Sequence, residues 1–219
     1  VPSNLLGNPP PMGTPNYFAS IEPGKFYLWE FRVNYLEPNL STFGTAIQDP
    51  NTTINTDTAA NWAIGYLVPQ RGVSQRVEVH GERLMTPLQY RSVNGIPSLW
   101  ATHTVRSGAV TGLRWYEIQF DGGSAPFFYH QGTYQPSSHY RWLGSLAVDR
   151  VGDMALGYSI SSTSLYPSIY YAGRLKNDPS GQLSQGEAIL YSGSGAQQLA
   201  GAPLYGPWGR LSHMTIDPV

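Results

Sequence analysis

The sequence has no cysteine and little charge. The absence of cysteine among its 219 residues excludes a disulfide framework, thiol catalysis and any cysteine-ligated metal. Charged residues make up 12% of the chain, against about a quarter in an ordinary soluble domain. Only Lys25 and Lys176 among the thirteen basic residues are lysines, and the formal net charge is −1. No basic stripe is available to neutralise a phosphate backbone, so nucleic acid is not an expected partner.

Long apolar runs are also missing, and the polar composition indicates the compartment in which the protein works. No stretch of about 18 consecutive apolar residues occurs, so no membrane span is expected. The chain is rich in Ser, Thr, Asn, Gln and Tyr and poor in lysine, a balance more typical of extracellular than of cytosolic proteins. We therefore expect a secreted protein.

Glycine, proline and tyrosine are abundant, at 24, 18 and 15 residues, which favours short strands joined by many turns. Residues 1–23 are proline-rich and show little alternation, so they predict an extended arm on the surface. Alternating segments then predict three units of strands at about 24–80, 82–136 and 141–195, and an opening strand at 208–218.

Four antiparallel strands in about fifty residues are typical of one propeller blade. The sequence therefore predicts an all-β fold, a β-propeller or a segment of one, built of four-stranded antiparallel blades over residues 24–219. A β-sandwich is the alternative. Three units and one strand do not close a ring, so either the N-terminal strands complete the last blade, or another chain or a missing segment does. We favour the second, because folded proteins avoid unpaired edges.

Several motifs resemble a known family. They are GERLMTPLQYR, GLRWYEIQ, QGTYQPSSHYRWLGSLAVD, MALGYSISSTSLYPSIYYAGRL and PWGRLSHMTIDP, and they resemble secreted bacterial proteins of the sialidase-like (BNR-repeat) β-propeller superfamily, mostly of unassigned function. The resemblance runs from about Trp29 to Pro218 and implies a propeller, secretion and a connection to glycans. In relatives the last motif is similar to Arg-Trp-Gly-Asp-Tyr-Ser-Ser-Met; Arg210 and Leu211 here replace its acid and its tyrosine, which argues against hydrolysis.

Arginines and tryptophans near the starts of the aligned inner strands are the candidate ligand-binding residues. Arg83, Arg141 and Arg210 each precede such a strand, and guanidinium groups bind carboxylates bidentately, as arginine clusters of sialidases do with an acidic sugar. Trp142 and Trp208 hold matching positions, and their rings can stack on a pyranose. The alternatives are structural: salt bridges for the arginines and wedges between blades for the tryptophans.

The sequence supports catalytic residues less well than it supports ligand-binding residues. A glycosidase needs two carboxyl groups around the scissile bond, or a tyrosine nucleophile backed by a carboxylate. Glu82, Glu117 and Asp149 are candidate carboxyl groups, and Tyr158 is a candidate nucleophile. Asp149 precedes a turn, where aspartate is common because its side chain bonds the local backbone. The catalytic residues therefore stay unassigned.

Metal binding has little support in the sequence. The five histidines show no paired spacing typical of a catalytic zinc. The segment DPNTTINTD offers Asp49, Asn51, Asn55 and Asp57 as oxygen ligands for calcium, but it lacks the glycine and terminal glutamate of an EF-hand. We predict no cofactor, with calcium in this loop as the alternative.

Together these features predict a secreted, non-enzymatic β-propeller that recognises carbohydrate or protein at the cell exterior. One alternative is a sialidase-like glycoside hydrolase that acts on an acidic or other glycan. Another is a subunit of an extracellular assembly that joins its neighbours through open strand edges.

Overall fold

The computed structural model of the chain consists of strands and loops. It describes residues 1–5, 7–45, 48–57, 62–63, 65–120, 125–201, 204–209 and 212–217. Within these ranges the chain forms sixteen strands and a single 3-10 turn at Pro38–Leu40, and no α-helix. The prediction of an all-β fold is confirmed. No helix in the described part of the chain is long and apolar enough to cross a membrane.

The strands form four sheets, of which two are large. The long sheet contains β1 (Ser3–Leu5), β8 (Leu88–Val93), β9 (Ile96–Ser107), β10 (Val110–Gln119) and β11 (Phe127–Tyr134), in that spatial order. The meander sheet contains β12 (Tyr140–Val148), β13 (Met154–Ser162), β14 (Leu165–Arg174) and β15 (Glu187–Tyr191), also in order. All neighbours in both sheets are antiparallel except β1, which lies parallel to β8.

The other two sheets are smaller. The N-terminal sheet contains β2 (Asn16–Glu22), β3 (Lys25–Arg32), β4 (Thr42–Phe43) and β5 (Thr52–Asn55), and β3 pairs antiparallel with the other three strands. The small sheet contains β6 (Leu67–Gln70), β7 (Val73–Glu78) and β16 (Tyr205–Gly206). β7 pairs antiparallel with β6 and parallel with β16.

The long sheet is buried on both faces, because successive residues of a strand point to opposite sides. On β10, Trp115 packs in a cluster with the meander sheet, and the adjacent Tyr116 packs in a cluster with the N-terminal sheet. Both side chains are fully buried. A third cluster joins Val68 and Val77 of the small sheet to Trp142 of the meander sheet. The sheets therefore stack in the order N-terminal, long, meander, small, and among the described residues none of them closes on itself.

The predicted units at 82–136 and 141–195 correspond to β8–β11 and β12–β15. The predicted unit at 24–80 is instead divided between the N-terminal and small sheets. The predicted arm contains two strands: β1 joins the long sheet, and β2 forms a hairpin with β3 in which Glu22 pairs with Lys25 across a two-residue turn. An arm was expected because Pro15 and Pro23 flank β2, and a proline-rich segment favours an extended loop over a strand.

The described part of the predicted strand at 208–218 does not join a sheet ladder. Side chains hold it against the meander sheet instead: the Met214 backbone N–H donates to Ser145 Oγ at 2.7 Å, and the Trp208 indole N–H donates to Ser159 Oγ at 3.1 Å. Because these hydrogen bonds go to serine hydroxyls and not to main-chain groups, the segment lies on a sheet face without extending the sheet.

Close backbone contact fixes the loop after β14 against β11. A Cβ atom at Gly132 would overlap the carbonyl group of Gly181, which is main chain and cannot rotate away. We expect Gly132→Ala to lower the free energy of unfolding by about 1–3 kcal/mol, the usual cost of overpacking, in urea denaturation. Gly195→Ala is the control, since nothing lies within 4 Å of its Cβ position. Equal stability of the two variants would contradict this packing.

Candidate functional site

A cleft of about 180 Å³ lies between the long and meander sheets. Its buried residues include Ser98, Trp100 and Glu117 of the long sheet, whereas Tyr129 and Lys176 are exposed at its edge. The described residues that line it are Val93, Ile96, Ser98, Trp100, Glu117, Gln119, Tyr129, His130, Gly152, Arg174, Lys176 and Asn177. Four strands of the long sheet, β8 to β11, and the end of β14 from the meander sheet therefore bring charged, polar and aromatic groups to one place.

Among the described residues of this lining, Glu117 is the only one with a carboxyl group. It is 7% exposed, and its Oε1 accepts a hydrogen bond of 2.9 Å from Gln119 Nε2. Burial raises the pKa of Glu117, although Gln119, Arg174 and Lys176 partly offset that effect. Glu117 therefore retains its proton to a higher pH than an exposed glutamate does.

His130 lies opposite Glu117 on β11 and connects it to Arg174. Arg174 Nη1 lies 2.9 Å from His130 Nδ1, and because a guanidinium can only donate, Nδ1 must accept and carry no proton. Burial, and secondarily the charge of Arg174, lower the pKa of His130. Glu117 Oε2 lies 3.2 Å from the same Nδ1, but the one lone pair of this nitrogen already accepts from Arg174, so the contact adds no second full hydrogen bond.

Arg174 is held in place from three sides. It is 2% exposed, its Nη2 donates to the Asp178 carbonyl at 2.9 Å, and its guanidinium carbon lies 5.2 Å from the centre of the Trp115 ring. Such a fixed cation gives the cleft a permanent positive charge. The exposed Lys176 adds a second one at the rim.

Of the residues singled out in the sequence, only Glu117 lines this cleft. Arg141, Tyr158 and Glu187 meet elsewhere: Arg141 Nε donates to Glu187 Oε2 at 2.8 Å, and the Tyr158 hydroxyl donates to the same oxygen at 2.9 Å. This is a tyrosine–carboxylate pair beside an arginine, but Tyr158 is 2% and Arg141 1% exposed. Burial and the charge of Glu187 raise the pKa of Tyr158 far above that of an ordinary phenol, so its hydroxyl stays protonated.

The other predicted ligand-binding residues do not form one accessible site. Arg83 is on the surface with its side chain 61% exposed, and it pairs with Glu82 at 2.5 Å. Trp142, expected at a channel mouth, is fully buried between the meander and small sheets because β12 carries it into that core. Trp208 is half-buried on the meander sheet and packs against the cluster that contains Trp142. Arg210 lies outside the described residues.

The remaining acidic and amide candidates have local structural partners. Asp149 Oδ1 accepts backbone N–H groups of Val151, Gly152 and Asp153, each at 2.9 Å, so it caps the turn between β12 and β13.

In the proposed calcium loop, the Asn51 side-chain oxygen accepts the Glu30 backbone N–H at 2.6 Å, and Asp57 pairs with Arg114 at 2.7 Å. Asn55 pairs with Lys25 in the β3–β5 ladder, and the Asp49 carbonyl accepts the Thr45 N–H. Within the described ranges no three histidine or acidic side chains are grouped so as to hold a metal ion.

Four cleft residues were not predicted from the sequence: Tyr129, His130, Arg174 and Lys176. The available signal was the hairpin of β10 and β11, because strands joined by a short loop bring specific residues opposite each other. In the structure Glu117 pairs directly with His130. Arg174 and Lys176 come from the other sheet, and no sequence pattern within the hairpin indicates them.

Comparisons with known proteins found no match, so the resemblance to sialidase-like propellers depends on the sequence motifs alone. No protein-family model matches the chain, and comparisons with curated proteins and with solved structures give no significant match.

Proposed function

We propose that the protein is a secreted, non-enzymatic carbohydrate-binding protein that holds a sugar in the cleft around Glu117, His130 and Arg174. The observation that carries the proposal is the meeting of buried hydrogen-bonding groups beside an exposed tyrosine ring in one cleft. Secretion is supported by the composition, which is rich in small polar residues and poor in lysine. The sequence motifs that imply a connection to glycans point in the same direction.

The polar groups of the cleft suit a ligand that carries several hydroxyl groups. His130 Nδ1 is an acceptor for Arg174, so the ring proton is on Nε2, which can donate to a ligand. Glu117 and the side-chain carbonyl of Gln119 can accept from ligand hydroxyls. A buried group that is matched by a ligand hydroxyl gains more than the same group in water, and it rejects ligands without that hydroxyl.

The aromatic and charged groups narrow the ligand further. Tyr129 is 50% exposed, and its ring can cover the apolar face of a pyranose. Arg174 and Lys176 favour a ligand with a carboxylate, so an acidic sugar should bind more tightly than its neutral counterpart. A volume of about 180 Å³ is below the roughly 300 Å³ at which pockets for drug-sized ligands begin. We therefore expect a single sugar, free or at the end of a glycan.

We do not extend the proposal to glycoside hydrolysis. Hydrolysis needs a second carboxyl group, or an accessible tyrosine–carboxylate pair, beside the scissile bond. Glu117 has no carboxyl partner among the described residues of the cleft, and the pair of Tyr158 and Glu187 is buried under Arg141.

We propose that the four stacked sheets are successive blades of a propeller, with the ring completed by another chain or by a further segment. Support comes from the two four-stranded meanders β8–β11 and β12–β15, whose faces pack on each other. The cleft then lies between two adjacent blades.

Calorimetry with a panel of neutral and acidic monosaccharides, including a sialic acid and a uronic acid, tests the proposed function. We expect saturable binding that is tighter for acidic sugars. Tyr129→Ala should weaken it at least about tenfold, or about 1.4 kcal/mol, because the stacking ring is lost. Tyr171→Ala is the control, since Tyr171 is 41% exposed and lies outside the cleft.

Lys176→Met separates charge from shape in the same assay. It should reduce the preference for acidic sugars and leave the affinity for neutral ones unchanged. The proposal fails if no sugar of the panel binds saturably, or if Tyr171→Ala weakens binding as much as Tyr129→Ala does.

A further inference from the structure

The outer strand of the meander sheet is an open edge with an apolar surface. Among the strands that the structure describes, β15 pairs only with β14. Three consecutive residues on it, Ile189, Leu190 and Tyr191, are 58%, 65% and 61% exposed. Neighbouring Ile169 and Tyr171 on β14 are 38% and 41% exposed and extend the apolar strip. Unpaired main-chain groups flanked by exposed apolar side chains are a template for another strand.

Other outer strands of the described chain are covered by nearby residues. The Val1 amino group and the Ala19 carbonyl are hydrogen-bonded, and so are the Val1 carbonyl and the Ala19 N–H, so residue 1 covers β2. On β12, the Leu143 N–H donates to Thr104 Oγ1 at 3.1 Å. The loop around Gly181 packs onto β11 at Gly132.

The remaining outer strands are blunted by composition or length. β6 contains Pro69, whose carbonyl accepts from Ser161 Oγ at 2.7 Å, and proline cannot donate to a new strand. β5 is TTIN, which is mostly polar, and β1, β4 and β16 are two or three residues long. β15 lacks the covering residues, the proline, the polar composition and the shortness that protect these edges. Its one irregularity is a register shift against β14 between Ile169 and Tyr170.

Charge indicates what can cover β15. Natural edges often carry lysine to prevent pairing, but Glu187 is the only charged residue between positions 179 and 209. Its carboxylate is paired with Arg141. When a strand pairs antiparallel with its own copy, identical side chains face each other near the two-fold axis, so any charge there repels itself. The neutral surface around β15 removes that obstacle and suits a second copy of this chain.

We propose that two copies of the chain associate through β15, strand against antiparallel strand, with Ile189, Leu190 and Tyr191 at the seam. The two four-stranded meander sheets then continue into one sheet across the two-fold axis. The pairing satisfies the free main-chain groups of β15 and covers its apolar side chains. It is independent of sugar binding in the cleft, so either proposal can fail without the other.

Sedimentation velocity over a range of protein concentrations tests the association. The wild-type chain should pass from monomer to dimer as its concentration rises. Leu190→Lys and Leu190→Glu should each weaken the dimer at least tenfold, because equal charges then oppose each other. An equimolar mixture of the two variants should restore dimers, because Lys and Glu lie opposite or diagonal across the seam. Leu204→Lys, at a site 69% exposed and away from β15, should leave the dimer unchanged.

A second variant distinguishes strand pairing from docking through one face of the sheet. Ile189 pairs with Tyr170, whereas Leu190 lies at the register shift and lines one groove with Ile169. Because Ile169 and Tyr170 point to opposite faces, Ile189 and Leu190 do too, and Ile189→Lys should weaken the dimer as Leu190→Lys does. Thermal unfolding confirms that each variant is folded. The proposal is overturned by a monomeric wild type at every concentration, by loss of the dimer in Leu204→Lys, by sensitivity to only one of the two β15 variants, or by a mixture that does not dimerise.

Discussion

Arg141→Met is expected to lower the free energy of unfolding by about 3–5 kcal/mol, because removing one partner of a buried ion pair leaves the other charge without compensation. The Arg141 side chain is 1% exposed, and Nη2 lies 2.6 Å from Glu187 Oε2, whose own side chain is 19% exposed. The guanidinium also donates to the His139 carbonyl and to Ser137 Oγ, each at 3.0 Å. Urea denaturation at neutral pH measures the loss.

Two further variants establish that burial is the cause. Arg83→Met removes an ion pair of similar length whose arginine side chain is 61% exposed, and such surface pairs contribute at most about 1 kcal/mol. The double variant Arg141→Met/Glu187→Gln removes the stranded charge but keeps an acceptor for the Tyr158 hydroxyl, so it should recover much of the stability. If Arg141→Met were no more destabilising than Arg83→Met, the buried pair would not stabilise the fold.

Arg83 and Arg141 show which part of the fold the sequence could predict. Alternation predicted the units at 82–136 and 141–195, and their strands form: Arg83 precedes β8, and Arg141 lies at the start of β12. What differs is the backbone after Arg141: Leu143 has a positive φ of 51°, and the β12–β13 register shifts between Trp142 and Ser145. A shift of one residue exchanges the faces of a strand. Burial of Arg141 and Trp142 therefore depends on an irregularity that alternation does not encode.

In the cleft, too, the sequence predicted a single residue but not the residues that contact it. Glu117 was a candidate from the sequence, but its partner was not. Without an irregularity, the pairing of Gln119 with Phe127 would place Tyr129 opposite Glu117; a register shift between Glu117 and Ile118 places His130 there instead. Arg174 reaches His130 from another sheet. Contacts between sheets depend on how faces pack, and the periodicity of each strand carries no information about that.

Acid should destabilise the protein through a second buried group, His103. This histidine on β9 is 3% exposed, and its Nε2 lies 3.0 Å from the Tyr116 hydroxyl. Burial, and to a smaller extent the charge of Arg114, lower the pKa of His103 to about 3. The ordinary value is 6.5, so the unfolded chain binds this proton at a much higher pH than the folded chain does.

The stability that His103 contributes is therefore fully present above about pH 6.5 and is lost as pH falls towards about 3. At about 1.36 kcal/mol per pKa unit, the loss at pH 3 is on the order of 4 kcal/mol. His103→Gln cannot take up the proton. It should start less stable at neutral pH, because the hydrogen bond to Tyr116 is altered, and then lose less stability than the wild type on acidification.

Urea denaturation of the wild type and His103→Gln between about pH 7 and pH 3 separates this histidine from every carboxyl group that titrates over the same range, because the carboxyl groups are common to both proteins. His213→Gln is the control, since His213 is exposed and its replacement should leave the pH dependence as it is in the wild type. Parallel stability curves for the wild type and His103→Gln would contradict a buried neutral imidazole. Converging curves would mean that the neutral ring of His103, between the long and N-terminal sheets, limits the lowest pH at which the protein stays folded.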